Sequence, residues 1–436
     1  MNLYDLRDSI DKNDVGKEMY GLIEELYPIC RSITGNGARQ SLDILKKHIP
    51  LTIQEIPTGT QVFDWTVPKE WNIKDAFIKN SKGDKVVDFQ DSNLHVVNYS
   101  VPKRKKMTLI ELKNHLYTIP EYPDWIPYRT SYYTETWGFC LSHNHFLELT
   151  DPEYFVSIDS SLEDGYLTYA EYYLEGNSRE EVLISCHTCH PSLCNDNLSG
   201  IALSVFLAKH LQSFPLRYSY RFLFIPGTIG SISWLCLNED RVSAIKHGLV
   251  VACVGDPGSF TYKRSRQGNA EIDKAVTNVL KHSDKSFKII DFFPYGYDER
   301  QYCSPGFNLP VGCLMRTPHG EYDEYHTSAD NLDLIKPHSL AESLALYLDV
   351  LYVIENNKRY LNLSPKCEPQ LGKRDLYAKI GGNNNKNRQL AMLWVLNLCD
   401  GKHTLLDISE RSGLEFSLIT EVAEILFKNN LLDECV

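Results

Sequence analysis

The chain has 436 residues, of which 43% are hydrophobic and 23% are charged, and its formal net charge at pH 7 is −12. This is the composition of a soluble globular protein, and the length exceeds one ordinary core, so two or three domains are expected. The acidic balance argues against broad binding to nucleic acid or anionic membranes, and no apolar run approaches the ~20 residues of a membrane span.

The cysteines and the first residues bear on cellular location. Twelve cysteines in so long a chain do not make a disulfide framework. The start of the chain has no basic cluster followed by an apolar core, so we predict no signal peptide. We therefore expect reduced thiols, a cytoplasmic location and no membrane association.

The first 160 residues divide into a helical part and a β-rich part. Apolar residues at helical spacing predict two helices between Lys17 and Ile49, with a break around Gly35 and Gly37. From Thr52 the sequence changes to short runs in which apolar and polar residues alternate, with Pro and Gly between the runs, a pattern that is typical of strands. We interpret residues 65–159 as an inserted β-rich domain.

From Tyr166 onward the pattern alternates between strands and helices. It predicts an α/β fold with a doubly wound, mostly parallel sheet for residues 1–64 and 160–361. The strand candidates are Leu167–Tyr173, Val182–Cys186, Arg221–Ile225, Leu249–Val254 and Val311–Met315. The helix candidates are Leu198–Leu211, Glu271–Leu280 and Ser339–Glu355.

A polar segment rich in Pro, Gly and Asn, residues 362–387, predicts a linker. Beyond it, residues 388–436 hold three short helical patterns and a final short strand, which together predict a winged-helix domain. Between Arg388 and Glu434 there are four basic and eight acidic residues, a net charge of −4. Since acidic surfaces repel phosphates, we expect a protein partner rather than nucleic acid for this domain.

One loop concentrates the metal-binding side chains. Val182–Ile184 reads as a buried strand and Ser199-Gly200 leads into a helix, so the loop between them lies at the carboxyl end of a strand. His187, His190 and Asp196 in this loop offer the nitrogen and oxygen atoms that zinc accepts as ligands.

Two other interpretations of this loop stay open. Its histidines would make only local hydrogen bonds if it were an ordinary polar loop. Alternatively, Cys186, Cys189 and Cys194 would hold a structural zinc with one histidine, although no second cysteine pair lies nearby.

Three further loops follow strands of the same predicted sheet, at residues 226–231, 255–258 and 316–330. Asp256 comes after a buried strand in a Pro-Gly loop, and His326 lies in the last of the three. For either residue alone, a helix cap or a satisfied loop histidine is an equal alternative. Together with His187 and Asp196 they form a set of two histidines and two carboxylates, which coincidence explains less well.

These residues carry a resemblance to a known family. His187, Asp196-Asn197-x-Ser199-Gly200, Asp256 and Tyr325-His326-Thr327-x-x-Asp330 follow, in order, the pattern of di-zinc aminopeptidases of the leucyl aminopeptidase and glutamate carboxypeptidase type. The resemblance implies a doubly wound α/β core and two zinc ions bridged by Asp196. His187 and Asp256 would complete one zinc site, and His326 would help to complete the other.

The whole arrangement is most similar to bacterial aminopeptidase-like proteins with a C-terminal winged helix. That group is associated with surface-polysaccharide biosynthesis. The resemblance covers roughly residues 1–60 and 160–360 and leaves the β insertion without a counterpart. By analogy, the insertion covers the cleft or forms a dimer contact, so a homo-oligomer is compatible with the sequence.

The chain departs from the family pattern at two places. Cys189 stands where the family has an aspartate that orients the first ligand histidine, and a thiol is a weaker hydrogen-bond acceptor than a carboxylate. The family also has a Glu-Glu pair, one a general base and the other a ligand, where this chain reads Ile225-Pro-Gly-Thr-Ile-Gly230. His190 is the candidate replacement ligand, so one zinc or two are expected. The candidate replacement bases are Glu239, Glu299, Glu321 and Glu324.

Substrate contacts are expected around the same edge of the sheet. Tyr297 and Arg300 lie in a segment that we predict to line the cleft, where Arg300 would hold a substrate carboxylate or make only a surface ion pair. We also assign Tyr325 and Asn197 to substrate binding.

The leading hypothesis is a zinc-dependent, aminopeptidase-like hydrolase that cleaves a peptide or an amide-bearing small molecule with metal-activated water, linked to surface-polysaccharide biosynthesis. Loss of a general base typically costs roughly 10²–10⁴-fold in rate. The alternative is therefore a catalytically impaired binding or regulatory protein that docks partners through its winged-helix domain.

Overall fold

The computed structural model describes residues 3–376 and 383–435, which form two compact units. The larger unit holds residues 8–268 and 286–345. The smaller unit holds the N-terminal residues, residues 269–285 and the chain from residue 346 onward. No helix in the described ranges is both long enough and apolar enough to cross a membrane.

An eight-stranded mixed sheet organises the larger unit. In chain order its strands are β1 (Thr52–Pro57), β2 (Tyr166–Leu174), β3 (Glu181–His187), β4 (Ser219–Ile225), β5 (Ile245–Val251), β6 (Phe260–Lys263), β7 (Phe287–Ile290) and β8 (Val311–Met315). Across the sheet the order is β1-β2-β4-β3-β5-β8-β6-β7. The four central strands β4, β3, β5 and β8 are parallel to their neighbours within this group. The predicted α/β fold is confirmed, with its parallel strands in the middle of the sheet and antiparallel pairings on either side.

The sequence explains why the middle strands form where they do. β3 and β4 are buried over their full lengths, and both are short runs dominated by aliphatic and aromatic residues, as parallel strands covered on both faces are. Their register places His187 beside Ile225. The two strands therefore end at the same level, and the loops that follow them start side by side.

Two strands, β6 and β7, have no counterpart in the sequence prediction. Each has four residues, and β6 ends in Lys263, whose fully buried ammonium lies 2.8 Å from the carboxylate of Glu299. A buried lysine breaks the apolar pattern by which short strands are found. The predicted strand Leu249–Val254 begins and ends earlier than expected, at Ile245–Val251, and Cys253 beyond it has a φ of 50°, outside the extended region.

The helix after β3 is buried along nearly its whole length. Ser199–Leu211 exposes little besides its last turn, and it packs against β3 and against the helix Lys12–Leu26. A helix covered on several sides needs apolar residues all round, which is what its sequence has. The other helices of this unit outside the insertion are Asn36–Leu45, Ile229–Leu237 and Glu299–Tyr302, and Pro337–Asn356 begins in it.

The segment predicted as an insertion builds its own antiparallel sheet. Its strands, in spatial order, are Lys85–Asp88, Glu70–Lys79, Glu153–Glu163 and Lys103–Thr108. The predicted boundary at residue 159 lies inside the strand Glu153–Glu163. The short pairs Gln61–Val62 with Trp65–Thr66 and Leu116–Tyr117 with Phe139–Cys140, and the short helices Leu109–Lys113 and His143–Glu148, complete this region.

The smaller unit combines helices with a three-stranded antiparallel sheet. Its helices include Leu3–Ser9, Glu271–His282, Asn383–Leu398, Leu405–Ser412 and Phe416–Lys428. Its strands, in spatial order, are Asp400–Thr404, Arg359–Asn362 and Leu432–Glu434. The central strand thus comes from before the predicted linker, in a stretch for which no strand was predicted. Residues 377–382 of that linker lie outside the described residues.

Candidate metal centre

The loops after β3, β4, β5 and β8 meet at one edge of the sheet. These four strands are parallel neighbours, so their carboxyl ends share that edge. In α/β sheets this is the edge at which ligands bind. The candidate ligands of the sequence therefore start from one side of the molecule.

Three imidazole nitrogens converge on the carboxylate of Asp196. Its Oδ1 lies 2.8 Å from His187 Nε2, and its Oδ2 lies 3.0 Å from His326 Nε2 and 3.5 Å from His190 Nδ1. His187 Nε2 and His190 Nδ1 are 3.0 Å apart. Asp196 is fully buried, whereas a third of the His326 side chain is exposed, so the cluster opens to solvent on the His326 side.

A tightly bonded loop turns Asp196 towards the histidines. The backbone N–H groups of Asn195 and Asp196 donate to the two carboxylate oxygens of Asp330, at 2.6 and 3.0 Å. The amide of Asn197 donates to the carbonyl oxygen of Val251 at 2.9 Å, which ties the loop to the end of β5. Burial raises the pKa of Asp330 to about 7, although these backbone hydrogen bonds oppose the shift.

The electrostatics favour an ionised Asp196 carboxylate beside a neutral His326 imidazole. Burial alone would raise the pKa of Asp196, but the neighbouring His190 and His187 bring it well below its usual range. Burial lowers the pKa of His326 even though Asp196 is close. Metal ligands must be in these unprotonated forms, so the cluster is prepared to accept a cation.

The spacing of the donors fits one transition-metal ion. Within residues 3–376 and 383–435, the only group of three or more His, Cys, Asp or Glu side chains with ligand atoms within 4.8 Å of one another is His187, His190 and Asp196. Ligand atoms bound to zinc at about 2.0–2.1 Å in a tetrahedron lie about 3.3 Å from one another. Within this group the separations are 2.8 Å (Asp196 to His187), 3.5 Å (Asp196 to His190) and 3.0 Å (His187 to His190), which lie on either side of that value. Nitrogen and carboxylate donors suit zinc, and His326 lies next to the group through its 3.0 Å contact with Asp196 Oδ2.

The cysteine alternative has no geometric support. Neither Cys186, Cys189 nor Cys194 belongs to the donor group found in the described part of the chain. Burial raises the pKa of Cys186 and of Cys189 to about 12, which keeps both thiols protonated, and the thiolate is the form that binds metal. Cys189 Sγ instead accepts a hydrogen bond from the backbone of Gly227 at 3.4 Å.

Asp256 lies outside the donor group. Its Oδ1 accepts hydrogen bonds from the Thr317 hydroxyl at 2.6 Å and from the Gly258 N–H at 2.7 Å, and its Oδ2 accepts one from the Asn195 amide at 3.1 Å. These bonds join the loops after β3, β5 and β8. The ligand role that the family pattern implies for Asp256 stays a prediction, and in this structure its carboxylate holds the three loops together.

Three of the four candidate bases, Glu299, Glu321 and Glu324, make contacts elsewhere. Glu299 is fully buried and paired with Lys263, and Glu321 is exposed and lies 3.6 Å from Lys288. Glu324 is partly exposed, and its backbone carbonyl accepts a hydrogen bond from Thr327. Across the part of the chain that the structure describes, no hydrogen bond or ion pair joins any of the three to the cluster.

Two tyrosines predicted to bind substrate contact the cluster itself. The Tyr297 hydroxyl donates to Asp196 Oδ1 at 2.9 Å, and its ring stacks on His187 at 4.7 Å between centroids. The Tyr325 ring stacks on His326 at 3.9 Å. Both side chains are partly exposed, so they line the open side of the cluster.

The other two predicted substrate contacts differ from each other. Arg300 is partly exposed, and its guanidinium lies 3.3 Å from the hydroxyl of Thr228 in the loop after β4. Asn197 is only 2% exposed, and its amide is bonded to the backbone, so it has no surface that a substrate could reach.

A buried carboxylate at Asp298 has no place in the sequence prediction. Its Oδ1 accepts hydrogen bonds from the Thr228 N–H at 2.7 Å and from the Ser231 hydroxyl at 2.9 Å, at the start of the helix Ile229–Leu237. Among the described residues no hydrogen bond reaches Oδ2. Burial raises the pKa of Asp298, and nearby His187 partly offsets the shift.

Asp298 thus stands against the loop in which the aminopeptidase pattern has its Glu pair. The only sequence signal was its place next to Tyr297 in a segment expected to line the cleft. Its partner Thr228 is 70 positions away, and nothing local marks that contact.

Two family models match the chain. One is described as a domain of unknown function (DUF4910) and matches residues 20–357. The other is described as a winged helix-turn-helix and matches residues 358–434, which confirms the predicted winged helix.

Relatives extend the same assignment. A protein of Clostridium acetobutylicum named as a polysaccharide biosynthesis protein with an aminopeptidase-like domain is 59% identical over 423 residues, which covers 97% of each chain. A crystal structure described as a peptidase from the same organism has a TM-score of 0.93 at 58% identity and covers 97% of each chain. BSAP, a zinc aminopeptidase from Bacillus subtilis, has a TM-score of 0.56 at 12% identity, covering 78% of this chain and 95% of its own.

The likeness to BSAP shows the fold alone and confirms the predicted aminopeptidase-like architecture. The family match and the 59% identical relative go further, because they cover most of the chain. This chain belongs to the DUF4910 family, as an aminopeptidase-like protein with a C-terminal winged helix-turn-helix domain.

Proposed function

We propose that this protein is a zinc-dependent, aminopeptidase-like hydrolase that cleaves a peptide or amide bond with metal-activated water. The observation that carries the proposal is the convergence of three imidazole nitrogens on Asp196 at an open edge of the sheet. The names of two relatives, a peptidase and a protein with an aminopeptidase-like domain, agree with this proposal.

His187, His190, Asp196 and His326 would hold the metal. The geometry supports one zinc rather than two, since both oxygens of Asp256 are engaged elsewhere and the described residues offer one donor group. In such a site zinc supplies a Lewis acid that lowers the pKa of a bound water and polarises a carbonyl oxygen.

The remaining roles fall to side chains around the cluster. We assign proton acceptance to Asp298 Oδ2, because Oδ1 is fixed by Thr228 and Ser231 and burial raises the pKa of this carboxyl towards the range useful to a base. The Tyr297 hydroxyl holds Asp196 Oδ1 in place. Arg300, whose Nε has no hydrogen-bond partner among the described residues, would receive a substrate carboxylate.

The substrate class follows from the openness and lining of the site. Tyr297 and Tyr325 line its open side and would pack against an apolar or ring-shaped part of the substrate. The name of the relative in Clostridium acetobutylicum links it to polysaccharide biosynthesis. We therefore propose a peptide or amide-bearing precursor in that process. The free thiols at all twelve cysteines support a cytoplasmic location.

The test is zinc content together with hydrolysis by the full chain. Zinc per chain is measured for wild type, Asp196→Ala and His326→Ala, and each is assayed against aminoacyl anilides and N-acylated amino sugars. We expect zinc and turnover in wild type and the loss of both in Asp196→Ala. Zinc bound by wild type without hydrolysis of any amide in the panel would contradict the proposed hydrolase activity.

A second candidate is a binding protein built on the same fold. Two observations favour it: the loop after β4 lacks the Glu pair, and the smaller unit has an open cavity of about 610 Å³ between residues 361–369 and the end of the helix Asn383–Leu398. Leucines stand exposed in this unit, at Leu361, Leu363, Leu390 and Leu393. Such a surface suits a protein partner. Turnover by the purified protein that disappears in Asp196→Ala would rule this candidate out as the main function.

A further inference from the structure

The inserted domain is bonded directly to the loop that carries His326. The Tyr128 N–H donates to the His326 carbonyl at 2.8 Å, and the Ser328 N–H donates to the Ile126 carbonyl at 2.8 Å. The Ile126 N–H donates to the Ser328 hydroxyl at 2.9 Å. Residues 126–128 and 326–328 thus form a short antiparallel ladder, with a bridge between the middle residues of each segment.

The side chain of Tyr128 stands between two of the candidate ligands. Its ring is nearly perpendicular to the rings of His190 and His326, at 5.2 Å from each centroid. Those two imidazoles are 5.1 Å apart. Edge-to-face contact at this distance is the geometry that aromatic rings prefer. Tyr128 is 8% exposed, and its hydroxyl is 2.8 Å from that of Tyr132, so the ring is fixed from behind.

The backbones of both histidines are held as well. His326 has a φ of 55°, a conformation that bulky residues adopt only where surrounding contacts impose it, and the Tyr128 N–H bonds its carbonyl. The carbonyl of His190 accepts hydrogen bonds from Arg31 Nε at 3.1 Å and Nη2 at 2.9 Å. With the backbones held, the orientation of the two rings depends on side-chain contacts, and Tyr128 contacts both rings.

We propose that Tyr128 is a positioning residue that orients His190 and His326 towards Asp196, and that the inserted domain is thereby a structural part of the metal centre. The inference rests on the proposed zinc site and adds to it a residue outside the ligand set. Partners that orient metal ligands typically account for 10–100-fold in metal affinity. The inserted domain would then control how tightly the metal is held.

The experiment measures zinc affinity by competition with a chromophoric chelator, and the visible absorption of the cobalt-substituted protein, on the full chain. Tyr128→Ala is expected to weaken zinc binding about 10–100-fold and to change the cobalt spectrum. Tyr128→Phe keeps the ring and is expected to keep both properties. The matched control is Tyr154→Ala, which removes another buried tyrosine, 3% exposed against 8% for Tyr128, from the sheet of the same domain.

Unchanged zinc affinity and an unchanged cobalt spectrum in folded Tyr128→Ala would overturn the inference. So would an equal loss in Tyr154→Ala, since the effect would then reflect general destabilisation. If Tyr128→Ala does not fold, Tyr128→Leu keeps the bulk without the ring, and the same two outcomes apply to it. Wild type without zinc affinity would overturn the proposed function and this inference together. Zinc bound as tightly by Tyr128→Ala as by wild type, but not bound by Asp196→Ala, would overturn this inference alone.

Discussion

The loops after β3 and β4 begin side by side, with His187 paired to Ile225, yet their chemistry is opposite. The β3 loop supplies His187, His190 and Asp196, whereas the β4 loop, Pro226-Gly-Thr-Ile-Gly230, has no metal-binding side chain. The carboxylate next to the β4 loop is Asp298, which comes from another part of the chain. The β3 loop thus carries three of the proposed ligands, whereas the β4 loop carries none and lies against a carboxylate from residue 298.

The largest effect is expected from removing the carboxylate on which the β3 loop converges. Asp196→Asn should reduce zinc affinity by more than the ~100-fold upper range for groups that only orient ligands, because it removes the charge shared by three imidazoles. Zinc per chain after dialysis against buffered zinc gives the measurement, and turnover should be lost in parallel.

The matched control for Asp196→Asn is Asp256→Asn, which changes the other buried aspartate of the family pattern. We expect it to retain zinc. A folded Asp256→Asn protein without zinc would mean that Asp256 is a ligand after all and that the donor group at the β3 loop is incomplete.

The next effect tests whether the β4 loop takes part in the chemistry. Asp298→Asn should lower kcat by roughly 10²–10⁴-fold, the usual cost of losing a general base, while zinc content stays at the wild-type level. Steady-state turnover and zinc content are measured on the same preparation. Glu321→Gln, a change to an exposed carboxylate, serves as the control and should behave as wild type. Full activity in Asp298→Asn would take the β4 loop out of the mechanism.

A smaller effect tests whether Asp256 stabilises the fold by joining neighbouring loops. Asp256→Asn should lower the free energy of unfolding by about 1–3 kcal/mol, because the new amide faces donors that the carboxylate now accepts from. Urea titration at pH 7 measures the change, and Glu321→Gln again provides the comparison. Unchanged stability would contradict the anchoring role.

The smallest effect concerns a buried histidine of the same sheet that lies away from the cluster. His247 on β5 pairs with Val182 near the start of β3, and its Nδ1 has no hydrogen-bond partner among the described residues. Burial lowers the pKa of His247 to about 3, with Arg217 and Lys246 adding to the shift. As pH falls below the pKa of ~6.5 that His247 has in the unfolded chain, this imidazole is protonated in the unfolded chain but stays neutral in the folded one. The free energy of unfolding should therefore fall by about 1.4 kcal/mol per pH unit.

The measurement is the slope of unfolding free energy against pH between 6.5 and 4.5, for wild type and His247→Phe. The variant should have a shallower slope by that amount. Equal slopes would show that His247 takes up its proton in the folded protein despite its burial.

The sequence allowed prediction of those features whose causes are local. β3 is a continuous buried run, its loop holds three possible metal donors within ten positions, and a helical pattern follows directly. The strand, the loop and the helix could therefore all be predicted. His326 was predicted as a ligand from the order of residues in the family pattern, because the sequence around it does not by itself indicate a ligand. The winged helix could be predicted because its last two helices, Leu405–Ser412 and Phe416–Lys428, each have a clear apolar periodicity.

The features that escaped prediction depend on distant partners. β6 contains Lys263, which is tolerated inside only because Glu299 pairs with it. The sequence could not show that Thr317 and Asn195 donate to the oxygens of Asp256, whose role as a ligand stays a prediction. Asp298 and Tyr128 gain their places through contacts 70 or more positions away, for which a single sequence carries no pattern.

The ladder between residues 126–128 and 326–328 bears on how the protein is made. Its partners Ile126 and Ser328 are 202 positions apart, which at about 5–20 residues per second is an interval on the order of 10–40 s during synthesis. Throughout that interval the edge formed by residues 126–128 has no partner strand, and unpaired edges invite association with other chains. A message truncated before the codon for His326 would yield a chain with the inserted domain but without the ladder and the full histidine cluster. Such fragments should be the form of this protein most dependent on chaperones and most readily degraded.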